Sequence, residues 1–243
     1  MAGVSVMKGS RVMKYGEIKR GMRDGLPIAL GYVSVSFAFG LKAVLLGMTW
    51  WQALFISMAN VTSAGQVAGL DIMVAAGGAV EMALSQLIIN IRYSLMSITI
   101  SQKVDKSFNL PTRMAVGFGV TDEIFGVAVS RNQTINRDYM VGLILVPYIG
   151  WSAGTLAGAL LGGVLPSIVS DSLGIAIYGM FLAIIVPQAR DDRRVLKVIL
   201  IAAVLSCCFR WIPFLSGISG GFAVIICAVT ASAIGAILYP VED

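Results

Sequence analysis

The sequence predicts an all-α polytopic membrane protein with about seven or eight transmembrane helices. Two observations lead to this class. Of the 243 residues, 57% are hydrophobic and only 13% are charged, whereas soluble domains carry about 25% charged residues. The apolar residues also form continuous runs, long enough for a helix of about 20 residues to cross a bilayer. They do not alternate with polar residues as the strands of a membrane barrel do.

The first 24 residues differ from the rest of the chain. They contain six lysines and arginines and no apolar core, which argues against a cleavable signal peptide. By the positive-inside rule, we expect residues 1–24 to be a basic segment on the cytoplasmic side. Residues 25–243 are then predicted to form a single transmembrane domain.

Eight apolar segments follow this basic segment. We expect the first helix to start at Gly25-Leu26-Pro27, because proline is well tolerated in a first helical turn. If every segment crosses, the basic loops 131–138 and 190–197 fall in the cytoplasm, in agreement with the positive-inside rule. The segments are 26–47, 51–74, 78–100, 114–130, 139–163, 172–189, 195–212 and 214–239.

One loop disagrees with the eight-helix arrangement. Residues 101–113 contain three basic side chains, yet eight crossings place them outside. The next segment is short and contains Asp122 and Glu123. Either this segment crosses despite its acids, or an element near it is broken or re-entrant. The second alternative gives seven helices and returns the loop to the cytoplasm, and the sequence leaves both alternatives open.

Arg92 is the most informative single residue. It lies near the middle of the third segment and is the only charge between Glu81 and Lys103. An arginine at the centre of a transmembrane helix costs on the order of 2.5–3.5 kcal/mol on insertion scales, so it is expected to face a partner or a polar cavity. Arg210 interrupts a later segment in the same way.

Residues 57–69 are the most polar part of any apolar segment. Their hydroxyls, amides and small side chains suit hydrogen bonding to the carboxylate or ammonium of a zwitterion. An unwound helix there would add free backbone groups, which are tolerated where they line a cavity. The alternative is ordinary hydrogen bonding between helices, worth about 0.6 kcal/mol per pair. On the functional interpretation, the substrate-binding residues are Ser57, Asn60, Ser63, Gly65, Gln66, Asn90 and Arg92.

Asp122 and Glu123 are the candidates for proton coupling. Neighbouring residues project about 100° apart on a helix, so the two acids cannot both face one partner. We expect one to neutralise Arg92 or Arg210 and the other to bind and release a proton. The alternative is that both acids cap or flank a short helix at the membrane interface.

A short echo connects Arg92 with Arg210. The tripeptides Ile91-Arg92-Tyr93 and Phe209-Arg210-Trp211 each end an apolar run, and a glutamine lies near the end of each preceding segment, Gln66 and Gln188. Such an echo is consistent with an internal repeat, parallel or inverted, of the kind that builds many transporters. It makes Gln188 and Arg210 secondary candidates for the site.

Other features predict packing rather than chemistry. Glycines at positions 150, 154, 158 and 162 recur every four residues, which predicts close approach of another helix. The absence of histidine excludes histidine metal sites and imidazole catalysis. The three cysteines lie in apolar runs and are expected to be small membrane hydrophobes. We expect no metal and no other cofactor.

Several stretches together resemble the AzlC family, the large subunit of bacterial branched-chain amino-acid exporters (the LIV-E permeases). The resemblance runs from about residue 20 to residue 238 and rests on the order and spacing of its motifs. It implies a multi-pass permease of the bacterial cytoplasmic membrane that pairs with a small AzlD-type subunit. It also implies proton-driven export of valine, leucine, isoleucine or a related amino acid. The motifs are Gly25-Leu-Pro27 with Gly31 and Phe39-Gly40, Ser63-Ala-Gly65-Gln66, Asn90-Ile-Arg92-Tyr93, Thr121-Asp122-Glu123 and the segment from Leu173-Gly174 to Gln188.

Two other function classes explain less of the sequence. A structural or assembly subunit that transports nothing would account for the glycine face but not for the intramembrane charges. An intramembrane enzyme is disfavoured, because the chain has no serine–histidine or zinc set and no second intramembrane aspartate to partner Asp122. We therefore expect a secondary transporter and not an enzyme.

Overall fold

The computed structural model describes residues 15–131, 133–161, 179, 182, 185–187, 189–215 and 217–240. Within these residues, nine helices have defined bounds. In chain order they are α1 (Tyr15–Leu45), α2 (Trp50–Ala59), α3 (Ser63–Val74), α4 (Ala79–Lys103), α5 (Leu110–Gly119), α6 (Asp122–Val129), α7 (Arg137–Leu161), α8 (Arg193–Trp211) and α9 (Gly220–Leu238).

Four of the described helices, α1, α4, α7 and α9, are long and apolar enough to cross a membrane. The helical membrane class is thus as predicted, but seven or eight crossings are not confirmed. The segments 51–74 and 114–130 are each divided into two short helices, because the chain leaves the helix at residues 60–62 and again at 120–121. The sequence predicted one broken element at most, and the structure has two. Most of the segment 172–189 lies outside the described residues.

Helix α1 starts earlier than predicted. It begins at Tyr15, so that Pro27 lies inside the helix instead of at its start. At 1.5 Å per residue, its 31 residues extend about 46 Å, more than the roughly 30 Å of a bilayer's apolar core. The first turns of α1 carry charged side chains, as expected for a part that projects beyond that core. The domain boundary predicted between residues 24 and 25 falls within this continuous helix.

Helices α1 and α7 run side by side in the same direction. Residue numbers rise together along their interface, and glycines of α7 face the backbone of α1. A Cβ atom on Gly150 would lie 2.9 Å from the carbonyl oxygen of Ala29, and one on Gly154 would lie 2.5 Å from that of Val33. The predicted glycine face is therefore confirmed for its described members, while residue 162 lies outside the described residues. The facing pairs are Gly142 with Ile18, Gly150 with Ala29, Gly154 with Val33 and Gly158 with Phe37.

Helices α2 and α3 form a hairpin, hairpin 1 (residues 50–74), at the end of the bundle where α1 ends. Lys42 of α1 pairs with Asp71 of α3 at 2.7 Å, and Ala43, Ala53 and Leu70 share one apolar cluster. Helices of 10 and 12 residues are about 15 and 18 Å long, roughly half of a bilayer's apolar core. Hairpin 1 thus enters from the Leu45 end of the bundle and turns back near the middle.

Helices α5 and α6 form a second hairpin, hairpin 2 (residues 110–129), which enters from the opposite end. The chain just before it and the chain just after it meet, since Val104 and Ile135 form a parallel bridge. Asn136 then donates a hydrogen bond of 3.0 Å to Glu17 in the first turns of α1. The basic loops 101–113 and 131–138 therefore lie together at the Tyr15 end. This geometry fits the re-entrant alternative and not a crossing of residues 114–130.

Helix α4 runs in the direction opposite to that of α1 and connects the two hairpins. Its first turn is fixed to α9, because Glu81 accepts hydrogen bonds from the Ser219 hydroxyl and, at 3.0 Å, from the Gly221 N–H. The order of α1 followed by hairpin 1 recurs, in the opposite direction, as α4 followed by hairpin 2. The echo between Arg92 and Arg210 is not part of this arrangement and stays a prediction.

Candidate functional site

The two hairpin tips open on the same cavity, which has a volume of about 540 Å³. Its walls also include Tyr32, Arg92 and Trp151, each of which lies near the middle of a long helix. The site therefore sits at half the height of the bundle, where transporters built from broken helices bind their substrates. Residues 61–64 and 121–123 supply the two tips.

Each tip begins a helix with a threonine N-cap. The Thr62 hydroxyl accepts the N–H of Gly65, and the Thr121 hydroxyl accepts the N–H of Ile124, both at 3.4 Å. A side-chain oxygen at this position satisfies an N–H that the helix cannot pair internally, which explains why the helices restart here.

The two helix starts carry different charges. The aligned peptide dipoles give each helix N-terminus a partial positive charge. The first turn of α3 has no acidic residue, whereas the first turn of α6 contains Asp122 and Glu123. The cavity therefore has a positive side at Ser63 and a negative side at the acid pair.

Arg92 of α4 pairs with Asp122 of hairpin 2 in the wall of the cavity. Its Nη2 lies 3.0 Å from a carboxylate oxygen of Asp122 and donates a hydrogen bond of 3.2 Å to the Tyr93 hydroxyl. The guanidinium also stacks 5.0 Å from the centre of the Tyr93 ring. Of the two acids, Asp122 is thus the one that neutralises Arg92.

Glu123 has a different partner. The Tyr32 hydroxyl donates to its carboxylate at 2.5 Å and lies 2.6 Å from the Thr121 hydroxyl. The Tyr32 ring meets the Trp151 ring edge to face, with centroids 5.1 Å apart. Among the described residues, no cation is paired with Glu123.

Three of the predicted residues belong to a network of amides next to the cavity. Asn60 and Asn90 donate to Oε1 of Gln86 at 3.0 and 3.2 Å, and Nε2 of Gln86 donates to the Gly65 carbonyl at 2.8 Å. The structure thus brings Asn60, Gly65 and Asn90 together, with Gln86 as their common partner.

The remaining predicted residues lie elsewhere. Ser57, which belongs to hairpin 1, is buried against α7. Its hydroxyl lies 2.6 Å from that of Thr155, and its carbonyl accepts a hydrogen bond of 3.2 Å from Nε1 of Trp151. Gln66 is fully buried, and among the described residues neither polar atom of its side chain has a hydrogen-bond partner. Arg210 is exposed on α8 and does not line the cavity. Gln188 lies outside the described residues.

Sequence reasoning missed Tyr32, Trp151 and Gln86. The two aromatic residues lie in apolar runs and look like ordinary membrane side chains. Gln86 precedes Asn90 by four residues, which places both amides on one face of α4. This spacing was the only available signal.

Comparison with known proteins matches residues 27–165 to the family model "AzlC protein". The inner membrane protein YgaZ of Escherichia coli is 29% identical over 171 residues, which cover 67% of this chain and 69% of YgaZ. An uncharacterized membrane protein of Archaeoglobus fulgidus is 30% identical over 174 residues, covering 71% of this chain and 76% of that protein. One from Helicobacter pylori is 23% identical over 154 residues, covering 60% and 66%. No solved structure matches the chain.

Proposed function

This chain belongs to the AzlC family of membrane proteins, and we propose that it exports branched-chain or related small neutral amino acids across the cytoplasmic membrane, coupled to protons. The observation that supports this proposal most is the central cavity. There, two helix starts of opposite charge face each other between three long helices. A zwitterion carries the matching pair of charges a short distance apart.

The N-terminus of α3 would bind the substrate carboxylate. The N–H groups of Ser63 and Ala64 belong to the first turn, where a helix offers no internal carbonyl to bond. Both residues line the cavity, and Ser63 adds a hydroxyl. Free N–H groups together with the helix dipole favour an anion at such a position.

Glu123 would bind the substrate ammonium. Its carboxylate has no cation partner among the described residues, and the rings of Tyr32 and Trp151 stand beside it. Aromatic faces attract cations electrostatically. The aliphatic side chain of the substrate would then contact the apolar part of the wall, formed by Pro27, Ile28, Val35, Ile89 and Ile185.

The same carboxylate would couple transport to protons. Asp122 is held by Arg92 at 3.0 Å, so we assign the coupling proton to Glu123, which has no cation partner among the described residues. A carboxylate that is protonated no longer pairs with an ammonium. Glu123 would therefore carry either the proton or the substrate, so that export of one amino acid accompanies entry of one proton.

The family resemblance further supports a small AzlD-type subunit as the partner of this chain. The basic loops at the Tyr15 end of the bundle support a cytoplasmic N-terminus, since positive loops remain inside. The expected permease would thus act as a hetero-oligomer in the cytoplasmic membrane.

The test is binding of three related compounds to the purified chain, co-expressed with its small subunit. Leucine is compared with isoamylamine, which is leucine without its carboxylate, and with isocaproate, which is leucine without its ammonium. Quenching of Trp151 fluorescence reports occupancy, with Trp151→Phe as the control for signal from other tryptophans. We expect leucine to bind and both analogues to bind at least about tenfold more weakly, since each loses a charged contact. Equal binding of all three, or no binding of leucine, would rule out a zwitterion site.

A further inference from the structure

We infer that Gln86 is a positioning residue, which holds the tip of hairpin 1 against α4 and so fixes the N-terminus of α3 in the cavity wall. The inference deepens the proposed function and rests on it, because the N-terminus that Gln86 would fix is the one proposed to bind the substrate carboxylate. Gln86 itself does not line the cavity.

The hydrogen bonds of Gln86 reach both sides of the break in hairpin 1. Oε1 accepts from Asn60, the residue at which α2 ends, at 3.0 Å. Nε2 donates at 2.8 Å to the carbonyl of Gly65, in the first turn of α3. One amide therefore connects Asn60, the C-cap of α2 and first residue of the break, with the first turn of α3, while Asn90 donates to its oxygen at 3.2 Å.

The glycines of α3 make room for this amide. A Cβ atom on Gly65 would lie 2.8 Å from Oε1 of Gln86, and one on Gly69 would lie 3.3 Å from Nε2. Both approaches are tighter than ordinary van der Waals contact. Gly65 therefore serves the site by admitting the Gln86 side chain.

An amide side chain matches the two contacts of this position. The bond to the Gly65 carbonyl uses a donor, and the bond from the Asn60 amide uses an acceptor. Glutamine supplies both from one planar group, whereas an ionised glutamate supplies acceptors only. A protonated glutamic acid regains one donor, its O–H, which can replace Nε2 toward the carbonyl.

The first test measures leucine transport by the full chain with its small subunit in proteoliposomes. Gln86→Leu should raise the KM for leucine about tenfold or more, while Vmax changes less than KM. The reason is that the N-terminus of α3 shifts while the other groups of the cavity stay in place. Met82→Leu is the matched control, since it lies one turn earlier on the same face of α4, borders Gly69 and touches Gln86 only through a long contact of 4.0 Å between Nε2 and its sulfur. It should leave KM unchanged. A wild-type KM in Gln86→Leu overturns the inference.

The second test uses Gln86→Glu. A purely structural role of Gln86 would not make the effect of this substitution depend on pH. The ratio of its KM to the wild-type KM should fall toward one as pH is lowered, since protonation restores the donor to Gly65. A ratio that stays constant with pH overturns the inference.

Hydrogen–deuterium exchange of the peptide 57–69 separates failure of this inference from failure of the proposed function. Exchange should be faster in Gln86→Leu than in the wild type and unchanged in Met82→Leu. If the wild type carries no amino acid but this exchange difference is found, the transport proposal fails and the positioning role stands. If leucine is carried and exchange does not differ, the positioning role fails.

Discussion

At the scale of single residues, two adjacent acids have separate partners. Asp122 pairs with Arg92 at 3.0 Å, and Glu123 accepts from Tyr32 at 2.5 Å. Their roughly 100° separation on a helix explains why one cation cannot hold both. Asp122 neutralises the intramembrane arginine, and we propose that Glu123 binds the substrate and the proton.

Arg92→Ala should abolish export while the chain still inserts in the membrane. The substitution leaves Asp122 without its cation and adds a second uncompensated negative charge beside Glu123. Because both residues belong to one pair, the double variant Arg92→Ala/Asp122→Asn should show at least as much leucine efflux as Arg92→Ala alone. Efflux from leucine-loaded cells, with membrane content measured by immunoblot, checks this. Wild-type export by Arg92→Ala would remove Arg92 from the site.

Glu123→Gln should separate transport from the proton gradient. Glutamine keeps the size of the side chain and its contact with Tyr32 but cannot exchange a proton. Export by this variant should be slow and insensitive to an uncoupler, whereas Asp122→Asn should be slower than wild type but still uncoupler-sensitive. The prediction fails if Glu123→Gln retains efflux that the uncoupler reduces as strongly as in the wild type.

At the scale of elements, the long helices and the hairpins differ in how they are held. The α1–α7 pair is packed backbone to backbone along its glycine face. The tip of hairpin 2 is fixed to α1 and α4 by side-chain contacts of Tyr32 and Arg92. We propose that substrate and protons bind to these same groups, so that binding in the cavity would act directly on hairpin 2.

Gly154→Ala should lower stability, because a methyl group there meets the backbone of Val33. Overpacking of this kind typically costs about 1–3 kcal/mol. Gly126→Ala is the matched control, since nothing lies within 4 Å of an added Cβ at that helical glycine. Heating detergent-solubilised protein and following its monodisperse fraction by size-exclusion chromatography should show a lower melting temperature for Gly154→Ala only. Equal melting temperatures for both variants would contradict the backbone contact.

The elements also show which features a sequence of this kind reveals. The acids at 122 and 123 predict a broken or re-entrant element near them, and the polar stretch at residues 57–69 allows an unwound helix, because such groups are costly in an intact membrane helix. Hairpin 1 as a whole is not evident from the sequence, since hydropathy measures the length of an apolar run and not whether the chain turns within it. Proline is well tolerated in a first helical turn, which suggests a start at Pro27, but the charged turns before it are helical as well. The partners of Gln86 and Tyr32 depend on packing between distant helices, which one sequence does not display.

At the scale of the whole molecule, the two hairpins enter from opposite ends and meet at one cavity. Each hairpin runs from its own end of the bundle to the cavity. Inverted arrangements of helices are a recurrent basis of alternating access, in which one side opens while the other is closed. We therefore propose that hairpin 2 serves the end with the basic loops and hairpin 1 the other.

The most direct test is leucine movement in proteoliposomes that contain this chain and its small subunit, with a proton gradient imposed across the membrane. We expect leucine to move against its own gradient, in the direction opposite to proton flow. An uncoupler and Glu123→Gln should each abolish this uphill movement, and isoamylamine and isocaproate should not be carried. Leucine that only equilibrates, at a rate unaffected by the gradient, would contradict the account.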